Sequence, residues 1–560
     1  MEIDALRSRA ERWLADDPDP TSQAELRAVI ESLPESAAEL ADRFAGSLNF
    51  GTAGLRGPMR AGPNGMNLAV VRQATAGLVA WLADRDPDRP LVIGFDARRN
   101  SKQFAEEVAR VATGAGRRAL VLPRVLPTPV LAHAVRALDA CAGVMVTASH
   151  NPPQDNGYKV YLGSGLGGPG GDGAQLVPPA DTEIEAAIRS VGPLAKVPLG
   201  EPGWVVSEHI VQSYLDGACS VVDPDLVDAP ARRDLVVAYT AMHGVGADVL
   251  TAAFAQAGFT RPATVREQVD PDPAFPTVTF PNPEEPGAMD LVLALAESVE
   301  ADIAIANDPD ADRCAVAIPS GTGGSARWRM LRGDEVGALL ADHLMRRGIH
   351  GLYATTIVSS TLLRAMCAAR GHAYDETLTG FKWIVRAGGE DAHRLVYGYE
   401  EALGYCVAPE HVRDKDGITA ALLVAELAAG LKAELRTLAD RLDELALEFG
   451  VHATDQISLR FASLAAITET MNRLRAKPPA ALLDEPVTAV EDLAPASDVL
   501  TLRTSNARVV VRPSGTEPKL KAYLEVVEPV ADDPGDLAAA RERAAATLAA
   551  LRTEIETALA

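Results

Sequence analysis

The sequence predicts an α/β protein with three similar mixed-sheet α/β domains and a smaller C-terminal α+β domain around a central cleft. Three observations support this: predicted strands alternate with helices, one strand–loop–helix pattern occurs three times from about residue 90, and the pattern changes after about residue 440. Because 560 residues are too many for one core, several domains are needed. We expect a helical N-terminal extension at 1–45, α/β domains at 46–210, 211–322 and 323–445, and an α+β domain at 446–560.

The composition excludes several classes of function. The formal net charge of −24 argues against nucleic acid and anionic membranes as partners, and no protein partner is evident. No apolar run is long enough to span a bilayer. The five cysteines are scattered without a C-x-x-C pair, and the first residues are charged. We therefore expect a reduced chain without a signal peptide, located in the cytoplasm.

The N-terminal part combines helical patterns with a glycine-rich loop. Residues 1–45 carry helical patterns on both sides of an acidic turn at 16–20, and we expect them to pack on the first domain. The loop that follows reads Phe-Gly-Thr-Ala-Gly-Leu-Arg-Gly from 50 to 57. Its glycines would let the backbone approach a phosphate, and Arg56 offers several donors to it. Taken alone, the loop is equally well explained as a simple turn.

The first copy of the repeated pattern ends in a serine loop. Strands are predicted at 91–96, 118–122 and 141–146, with helices at 102–115 and 131–138 between them. The last strand runs into Thr-Ala-Ser-His-Asn-Pro-Pro at 147–153, where Asn and Pro fix the shape of a loop. A serine at such a corner is presented outward, so Ser149 could react with a phosphoryl group, with His150 and Lys159 beside it. The alternative is a polar turn in which Ser149 only bonds its own loop.

The second copy ends in three aspartates. Strands at 234–239 and 301–306 enclose two helices, the second at 289–299, and the later strand runs into Asp308, Asp310 and Asp312. Three carboxylates this close need a cation, and oxygen ligands at this density suit Mg²⁺. An EF-hand loop is excluded because Arg313 occupies the required glycine position. A solvated acidic turn is the remaining alternative.

The third copy ends in a pair of glutamates. Strands at 352–358 and 394–397 enclose a helix at 360–369, and the last strand leads to Glu400 and Glu401 between apolar and glycine residues. Ligands of open α/β sheets collect at the carboxyl ends of the strands, and a repeated fold places equivalent loops together. The serine, the aspartates and the glutamates therefore predict one composite site.

The C-terminal part carries a loop rich in anion donors. Arg512, Ser514, Gly515, Thr516 and Lys519 supply two cations, two hydroxyls and a flexible backbone, which is typical of a phosphate cradle, although a surface turn would also explain it. A strand at 520–527 and a helix at 537–559 follow. Elsewhere, the glycine-rich stretch 163–168 satisfies G-x-G-x-x-G, but no helix follows it. We expect a flexible insertion there and no dinucleotide site.

The motifs in these loops resemble those of one known family. The serine loop around Ser149, with Lys159 further along, resembles the active-site loop of the α-D-phosphohexomutases, the phosphoglucomutase and phosphomannomutase superfamily. The aspartate string resembles its metal loop, and the run from Arg512 resembles the loop that grips the non-reacting phosphate. Glu400 matches a sugar-binding glutamate, and the stretch 379–383 resembles a loop whose lysine transfers a proton or binds phosphate. The N-terminal extension and Gly-Thr-Ala-Gly resemble the long-form branch, which is similar to phosphoglucomutases and phosphopentomutases.

The resemblance implies an isomerase that passes a phosphate between Ser149 and a sugar monophosphate, with Mg²⁺ as metal and glucose 1,6-bisphosphate as activator and intermediate. It favours interconversion of glucose 1-phosphate and glucose 6-phosphate. A phosphomannomutase or phosphopentomutase stays open because Ala402 stands where related phosphoglucomutases often have serine. A non-catalytic sugar-phosphate-binding protein is a remote alternative.

The resemblance also implies roles for individual residues, and the acid/base order among His150, Lys159 and Lys382 stays open. The expected catalytic residues are Ser149, His150, Lys159, Arg56 and Lys382; the metal ligands are Ser149, Asp308, Asp310 and Asp312; and the substrate-binding residues are Arg313, Gly380, Glu400, Arg512, Ser514, Gly515, Thr516 and Lys519.

Overall fold

The computed structural model describes residues 3–48, 54–320, 327–389, 394–461, 463–514, 519–531 and 535–559. The chain begins with three helices, in the region where helical patterns are predicted. Asp19 caps the second helix by accepting hydrogen bonds from the backbone N–H groups of Thr21 and Ser22. The three helices have a small apolar core of their own. Their bounds are α1 (Ile3–Asp16), α2 (Pro20–Glu31) and α3 (Ala37–Arg43).

The first α/β domain has a mixed sheet in the order β1-β5-β4-β2-β3-β7, with β6 paired to β5. Strands β2, β3, β4 and β7 run parallel, while β5 is antiparallel to both β4 and β1. The elements are β1 (Leu55–Pro58), α4 (Leu68–Ala83), β2 (Leu91–Phe95), α5 (Ser101–Gly114), β3 (Ala119–Val121), α6 (Thr128–Ala137), β4 (Ala142–Val146), β5 (Asp155–Leu162), β6 (Ala174–Gln175), α7 (Ala180–Arg189) and β7 (Trp204–Val205).

The second α/β domain has a sheet in the order β12-β11-β10-β8-β9, in which β8, β9 and β10 run parallel. Its elements are α8 (His209–Cys219), α9 (Ala229–Asp234), β8 (Val237–Thr240), α10 (Gly246–Gln256), β9 (Ala263–Thr264), α11 (Asp290–Ser298), β10 (Ile303–Ala306), β11 (Ala315–Ser320) and β12 (Arg327–Met330). The predicted strand start at Asp234 is wrong, because Asp228 caps a short helix that ends there. Strand β9 was not predicted, since two residues show no periodicity.

The third α/β domain has a sheet in the order β14-β13-β15-β16, and the C-terminal domain has an antiparallel sheet in the order β17-β23-β22-β21-β20. The third domain contains α12 (Gly333–Arg346), β13 (Leu352–Thr356), α13 (Leu362–Arg370), β14 (Ala373–Thr377), α14 (Phe381–Ile384), β15 (Leu395–Glu400), β16 (Gly404–Cys406), α15 (Gly417–Ala433) and α16 (Leu438–Phe449). The last contains β17 (Val451–Arg460), α17 (Leu464–Ala476), β18 (Ala481–Leu482), β19 (Glu485–Pro486), β20 (Ala489–Asp492), β21 (Leu500–Arg503), β22 (Ala507–Pro513), β23 (Lys519–Glu528) and α18 (Asp536–Leu559).

One large cluster of buried apolar side chains extends through the first three domains. It takes side chains from α6, α8, α10, α12 and α15. Almost every side chain of α15 is buried, including Glu426, whose carboxylate accepts hydrogen bonds from His343 at 2.6 Å and Arg347 at 3.1 Å. A helix that is apolar all round belongs in a protein core. Within the described ranges, no helix is long and apolar enough to cross a membrane.

The glycine-rich stretch 163–168, together with Gly170 just after it, contacts the third domain. As predicted, no helix follows it directly: β6 comes first, and α7 begins only at Ala180. The carbonyl oxygen of Gly167 accepts a hydrogen bond from Arg386 at 3.1 Å, and that of Gly170 accepts one from Arg413 at 2.8 Å. The stretch that was expected to be a flexible insertion is therefore hydrogen-bonded to the third domain. Its partners lie more than 200 residues away, where local sequence gives no signal.

Candidate active site

The serine loop follows strand β4 and is tightly held. Ser149 is 1% exposed and adopts a left-handed backbone conformation with φ of 52°, which is uncommon for a residue with a Cβ atom. Its N–H donates to Thr147 Oγ1 at 2.9 Å. Its hydroxyl donates to Asp308 Oδ2 at 2.7 Å and lies 3.2 Å from His150 Nδ1. The loop therefore directs Ser149 Oγ toward the loop after β10 in the second domain.

The loop after β10 gathers three buried carboxylates. One oxygen each from Asp308, Asp310 and Asp312 lies within 4.8 Å of the others. Among the described residues, Asp310 Oδ1 and Asp312 Oδ1 have no hydrogen-bond partner. A buried, unsatisfied carboxylate oxygen is costly unless a cation meets it. The donor set is all oxygen, so these three residues fit a hard divalent cation such as Mg²⁺.

Lys159 lies between two of the aspartates. Its Nζ is 2.8 Å from Asp310 Oδ2 and 3.0 Å from Asp312 Oδ2. Burial disfavours the ammonium form, but these two carboxylates outweigh burial and raise the pKa of Lys159. Burial likewise opposes ionisation of Asp310, yet Lys159 and the Thr128 hydroxyl, 2.7 Å away, hold its pKa well below the ordinary value. These contacts therefore favour the charged form of Lys159 inside the cluster.

The protonation of Asp308 differs from that of its neighbours. Burial raises the pKa of Asp308 well above its ordinary value, and the negative charges of Asp310 and Asp312 add to this effect. Arg313 and the Ser149 hydroxyl act in the opposite direction without cancelling it. A divalent cation at this point would remove the repulsion and restore the carboxylate.

Arg56, Arg313 and His150 complete the basic side of the cluster. Strand β1 pairs with β5 so that Arg56 lies opposite Gly157, two residues before Lys159. Arg313 Nη1 is 3.4 Å from Glu284 Oε2. Burial, together with the cations Arg313 and Arg56, lowers the pKa of His150 well below its ordinary value. His150 is therefore a neutral imidazole that can exchange a proton with the Ser149 hydroxyl.

The end of strand β15 contributes two carboxylates. Burial raises the pKa of Glu400 to about 7, with Lys415 opposing and Glu401 adding to the shift. Glu401 Oε2 accepts hydrogen bonds from Thr356 Oγ1 and Ser359 Oγ, each at 3.2 Å. A single β-bridge joins Arg313 to Gly404, just beyond these glutamates. The third strand end is thereby attached to the aspartate loop, as the sequence predicts.

Lys415 belongs to this cluster, although its position in the sequence led to no predicted role. Its Nζ lies 3.4 Å from Asp312 Oδ2 and 3.8 Å from Asp414 Oδ1. Burial favours the neutral amine, but Asp312, Asp414 and Glu400 raise its pKa. A signal was present, because a charged run at 413–416 directly precedes the apolar helix α15. Thr128, which bonds Asp310, had no such signal.

Lys382 has different neighbours from the aspartate cluster. Gly380, with φ of 111°, precedes the short helix α14, and the amine of Lys382 lies 5.6 Å from the Trp383 ring. Burial lowers the pKa of Lys382, and the charges that act on it are those of Asp181 and Arg386. The charges around Lys382 are therefore different from those around Ser149.

The C-terminal domain brings a second group of cations. Arg512 on β22 lies opposite Lys521 on β23, and the N–H of Ser514 donates to the carbonyl oxygen of Lys519 at 2.7 Å. Gly515 and Thr516 lie outside the described residues. Burial lowers the pKa of Lys521, while the negative charges of Glu401 and Glu284 act against it. Lys521 was also missed, although its alternation with Lys519 along β23 places both on one face.

Four domains in this order, with buried cations and carboxylates where they meet, define a multidomain phosphotransferase. The chain belongs to the phosphoglucomutase/phosphomannomutase family: the family's alpha/beta/alpha domains I, II and III match residues 47–193, 212–321 and 332–446, and its C-terminal domain matches 472–533. It is an isomerase, an intramolecular phosphotransferase. The predicted family and fold class are confirmed.

Similar proteins carry the names of more than one phosphosugar mutase. The chain is 45% identical to a probable phosphomannomutase of Haemophilus influenzae, covering 82% of this chain and 93% of that protein. It is 33% identical to the phosphopentomutase of Mus musculus, covering 94% and 90%. The crystal structure of a putative phosphomannomutase from Thermus thermophilus superimposes with a TM-score of 0.69 at 25% identity, covering 91% of this chain and 99% of that one.

Proposed function

We propose that the protein interconverts glucose 1-phosphate and glucose 6-phosphate through a phosphorylated Ser149 and a bisphosphate intermediate. The observation that carries the proposal is the 2.7 Å hydrogen bond from Ser149 Oγ to Asp308, inside a carboxylate triad that also binds Lys159. Two domains thus bring a hydroxyl that can carry phosphate to a site that can hold a divalent cation. A serine without these neighbours would be a weak acceptor.

The reaction consists of two transfers that balance. In the first, a sugar hydroxyl attacks the phosphorus of phospho-Ser149, the bond from phosphorus to Ser149 Oγ breaks, and a sugar bisphosphate forms. In the second, after the bisphosphate has reoriented, Ser149 Oγ attacks its other phosphate and the sugar monophosphate leaves. Each attacking hydroxyl loses a proton and each leaving oxygen gains one. His150, 3.2 Å from Ser149 Oγ, is placed to exchange that proton.

The charged groups of the cluster would stabilise the transferring phosphoryl group. Asp308, Asp310 and Asp312 would hold Mg²⁺, with Ser149 as a further ligand; the ion neutralises negative charge on phosphoryl oxygens. Lys159 and Arg56 supply fixed positive charge in a buried setting, where it acts more strongly than in water. Lys159, which as an ammonium group can donate a proton, and Lys382 are the further candidates for proton transfer.

The remaining residues would hold the substrate. Arg512, Ser514, Gly515, Thr516 and Lys519, joined by Lys521, would grip the phosphate that does not react. Glu400, Arg313 and Gly380 would contact the sugar ring, with the Glu400 carboxylate accepting hydrogen bonds from its hydroxyls. Glucose 1,6-bisphosphate would serve both as intermediate and as the source of the first serine phosphate.

A pentose or mannose phosphate is the second candidate substrate. Ala402, directly after the glutamate pair, supplies no hydroxyl to the sugar. A site that lacks this hydrogen bond to the sugar discriminates less strongly between sugars. The Mus musculus relative is named a phosphopentomutase and the Haemophilus influenzae relative a probable phosphomannomutase.

The test is a direct comparison of substrates. Purified protein is assayed with glucose 1-phosphate, mannose 1-phosphate and ribose 1-phosphate, each with Mg²⁺ and glucose 1,6-bisphosphate, and the Ser149→Ala variant serves as control. We expect the highest kcat/KM for glucose 1-phosphate and no turnover in the variant. A higher value for mannose or ribose would overturn the choice of sugar. Absence of turnover with all three would overturn the mutase proposal.

A further inference from the structure

We propose that Arg98 is a positioning residue for phosphoryl transfer: it holds the backbone of the loop at 147–155 in the conformation that directs Ser149 Oγ at Asp308. This inference rests on the proposed role of Ser149 as phosphate carrier. Arg98 lies three residues after strand β2, and its side chain is 1% exposed. It carries none of the roles assigned above, and a buried arginine requires an explanation.

The Arg98 guanidinium binds four carbonyl oxygens of this one loop. Its Nη1 donates to the carbonyls of Pro152 at 2.9 Å and Asp155 at 3.1 Å. Its Nη2 donates to the carbonyls of Ser149 and Asn151, each at 2.5 Å. A planar fork with several donors can reach oxygens at different points of a loop, whereas an ammonium group cannot cover the same span. One side chain therefore holds the loop at Ser149 itself and at three points after it.

The loop needs such a support because it has little regular structure of its own. Ser149 has the left-handed φ of 52°, and its carbonyl is one of the four that Arg98 binds. Residues with a Cβ atom keep such a conformation only where the surroundings determine it. Without Arg98, four carbonyl groups would be left without this donor, and the loop would have reason to rearrange.

Asp96 anchors Arg98 to the end of strand β2. Its Oδ1 accepts hydrogen bonds from the Arg98 N–H at 2.9 Å and from Ser101 Oγ at 2.6 Å. Its Oδ2 lies 3.5 Å from Arg98 Nε. The backbone of Arg98 is therefore fixed to the parallel sheet and the start of α5, and the Asp96 carboxylate faces its guanidinium. This is the kind of support that a precisely placed reacting group requires.

Phe275 of the second domain packs on the other side of Arg98. The guanidinium carbon lies 5.0 Å from the centre of the Phe275 ring, within the range of a cation–π contact, and Phe275 is 2% exposed. The aspartate loop belongs to the same second domain. This contact therefore links the serine loop to the domain that supplies Asp308. Through it, Arg98 influences the distance between Ser149 Oγ and Asp308.

Loss of this support should lower the rate of phosphoryl transfer without weakening substrate binding. Misplacement of a reacting group by about 1 Å can cost about 100-fold in rate. We expect kcat of Arg98→Lys and Arg98→Gln to fall by about that factor, with KM for glucose 1-phosphate changed less than about threefold. Phe275→Leu, which keeps the arginine but removes the ring, should lower kcat by a smaller factor.

The experiment compares full-length variants with a matched control. Arg98→Lys, Arg98→Gln and Phe275→Leu are measured beside Arg99→Gln, which alters the exposed neighbouring arginine. Readouts are kcat, KM, the thermal midpoint, and the rate at which glucose 1,6-bisphosphate phosphorylates Ser149, followed by intact mass. An Arg98→Ala variant is also assayed with added guanidinium chloride at millimolar concentration, which we expect to restore part of kcat and of the phosphorylation rate.

Three results would overturn the inference. The first is wild-type kcat and phosphorylation rate in folded Arg98 variants, and the second is a loss of kcat that only follows a lower thermal midpoint and that guanidinium does not restore. The third applies if the Arg98 variants do not fold. In that case Phe275→Leu decides, and wild-type kcat and phosphorylation rate in that variant would contradict the inference. If the wild-type protein itself takes no phosphate on Ser149, the proposed function fails instead.

Discussion

At the scale of single residues, charge is distributed so that each carboxylate of the triad has a different surrounding. Asp310 bonds Lys159 and Thr128 through one oxygen, Asp308 accepts from Ser149, and Asp312 lies between Lys159 and Lys415. One oxygen of Asp310 and one of Asp312 have no hydrogen-bond partner in the part of the chain that the structure describes. The residues thus combine internal neutralisation with open ligand positions.

Asp310→Asn should abolish turnover while leaving the chain folded. The substitution keeps the shape of the side chain but removes the charge that a divalent cation requires, and Asp312 still pairs with Lys159. Activity and the thermal midpoint are measured beside Asp248→Asn on the exposed face of α10, and a chelator is added to the parent enzyme. Retained turnover in Asp310→Asn, or indifference of the parent to the chelator, would contradict the metal site.

Arg512→Ala should raise KM for the sugar phosphate far more than it lowers kcat. A charged hydrogen bond to a phosphate contributes about 2–4 kcal/mol, which corresponds to a roughly 30- to 1,000-fold change in KM. Steady-state kinetics on this variant and on Arg503→Ala, which alters the adjacent strand β21, measure it. An unchanged KM in Arg512→Ala would show that the loop after β22 does not bind substrate.

Glu400 should make KM depend on pH near neutrality. Its pKa is raised to about 7 by burial, so the carboxylate is present above that pH and the neutral acid below it. Because the carboxylate is the proposed acceptor for sugar hydroxyls, KM should rise as pH falls through about 7. The Glu400→Gln variant is measured over the same pH range. Because the substrate phosphate titrates equally in both assays, the difference in KM between the two enzymes reports Glu400 alone. An identical pH dependence in both enzymes would exclude this role.

At the scale of elements, the N-terminal helices support the strand that carries Arg56. Arg43 of α3 donates to the carbonyl oxygen of Ala61 at 3.1 Å and to Glu25 of α2 at 2.6 Å, and Glu25 accepts from the N–H of Ala61 at 3.2 Å. Ala61 lies just after strand β1 (Leu55–Pro58). The extension therefore braces the turn that leaves the strand of a candidate catalytic arginine.

Arg43→Ala should lower the free energy of unfolding by about 1–3 kcal/mol, the cost of leaving buried hydrogen-bonding groups unpaired. Urea unfolding monitored by tryptophan fluorescence, to which Trp13 contributes from its place against Phe44, measures it. Arg27→Ala on the exposed face of α2 is the control. Equal stability of both variants would mean that the extension does not support this turn.

Local patterns predicted the elements that carry the site, and long-range contacts escaped them. Ser149, the aspartates and Glu400 each lie at the end of a strand whose apolar run is visible in the sequence. The rule that strand ends collect ligands brings them together. Strand β9 and the helix ending at Asp234 were missed because the elements are too short to show a period. Lys415 was given no role, although the charged run at 413–416 marks its position, because its partner Asp312 is distant in sequence. Arg98 was missed because its partners are backbone oxygens.

At the scale of the whole molecule, the C-terminal domain is attached differently from the other three. The first three domains share a continuous core, whereas the fourth has its own. Between the third and fourth domains, Glu525 Oε1 accepts hydrogen bonds from Ser360 Oγ and the Thr361 N–H, both at 2.7 Å. Beside these hydrogen bonds, the small apolar cluster of Val358, Val499, Val510 and Tyr523 joins the two domains. An interface of this size holds domains less firmly than a shared core. The rigid part thus carries the serine and aspartate loops, and the more independent part carries Arg512.

The proposed function depends on one covalent state, a phosphate on Ser149. Moving a phosphate between two positions of one sugar requires a temporary carrier, and the four domains place the Ser149 hydroxyl where it can be that carrier. The most direct measurement joins intact-mass and peptide analysis of the enzyme to its activity, before and after removal of the phosphate. We expect active enzyme to contain a fraction one phosphate heavier, with the phosphate on Ser149, and dephosphorylated enzyme to be inactive until glucose 1,6-bisphosphate is added. Full turnover of dephosphorylated enzyme without any bisphosphate would contradict the account.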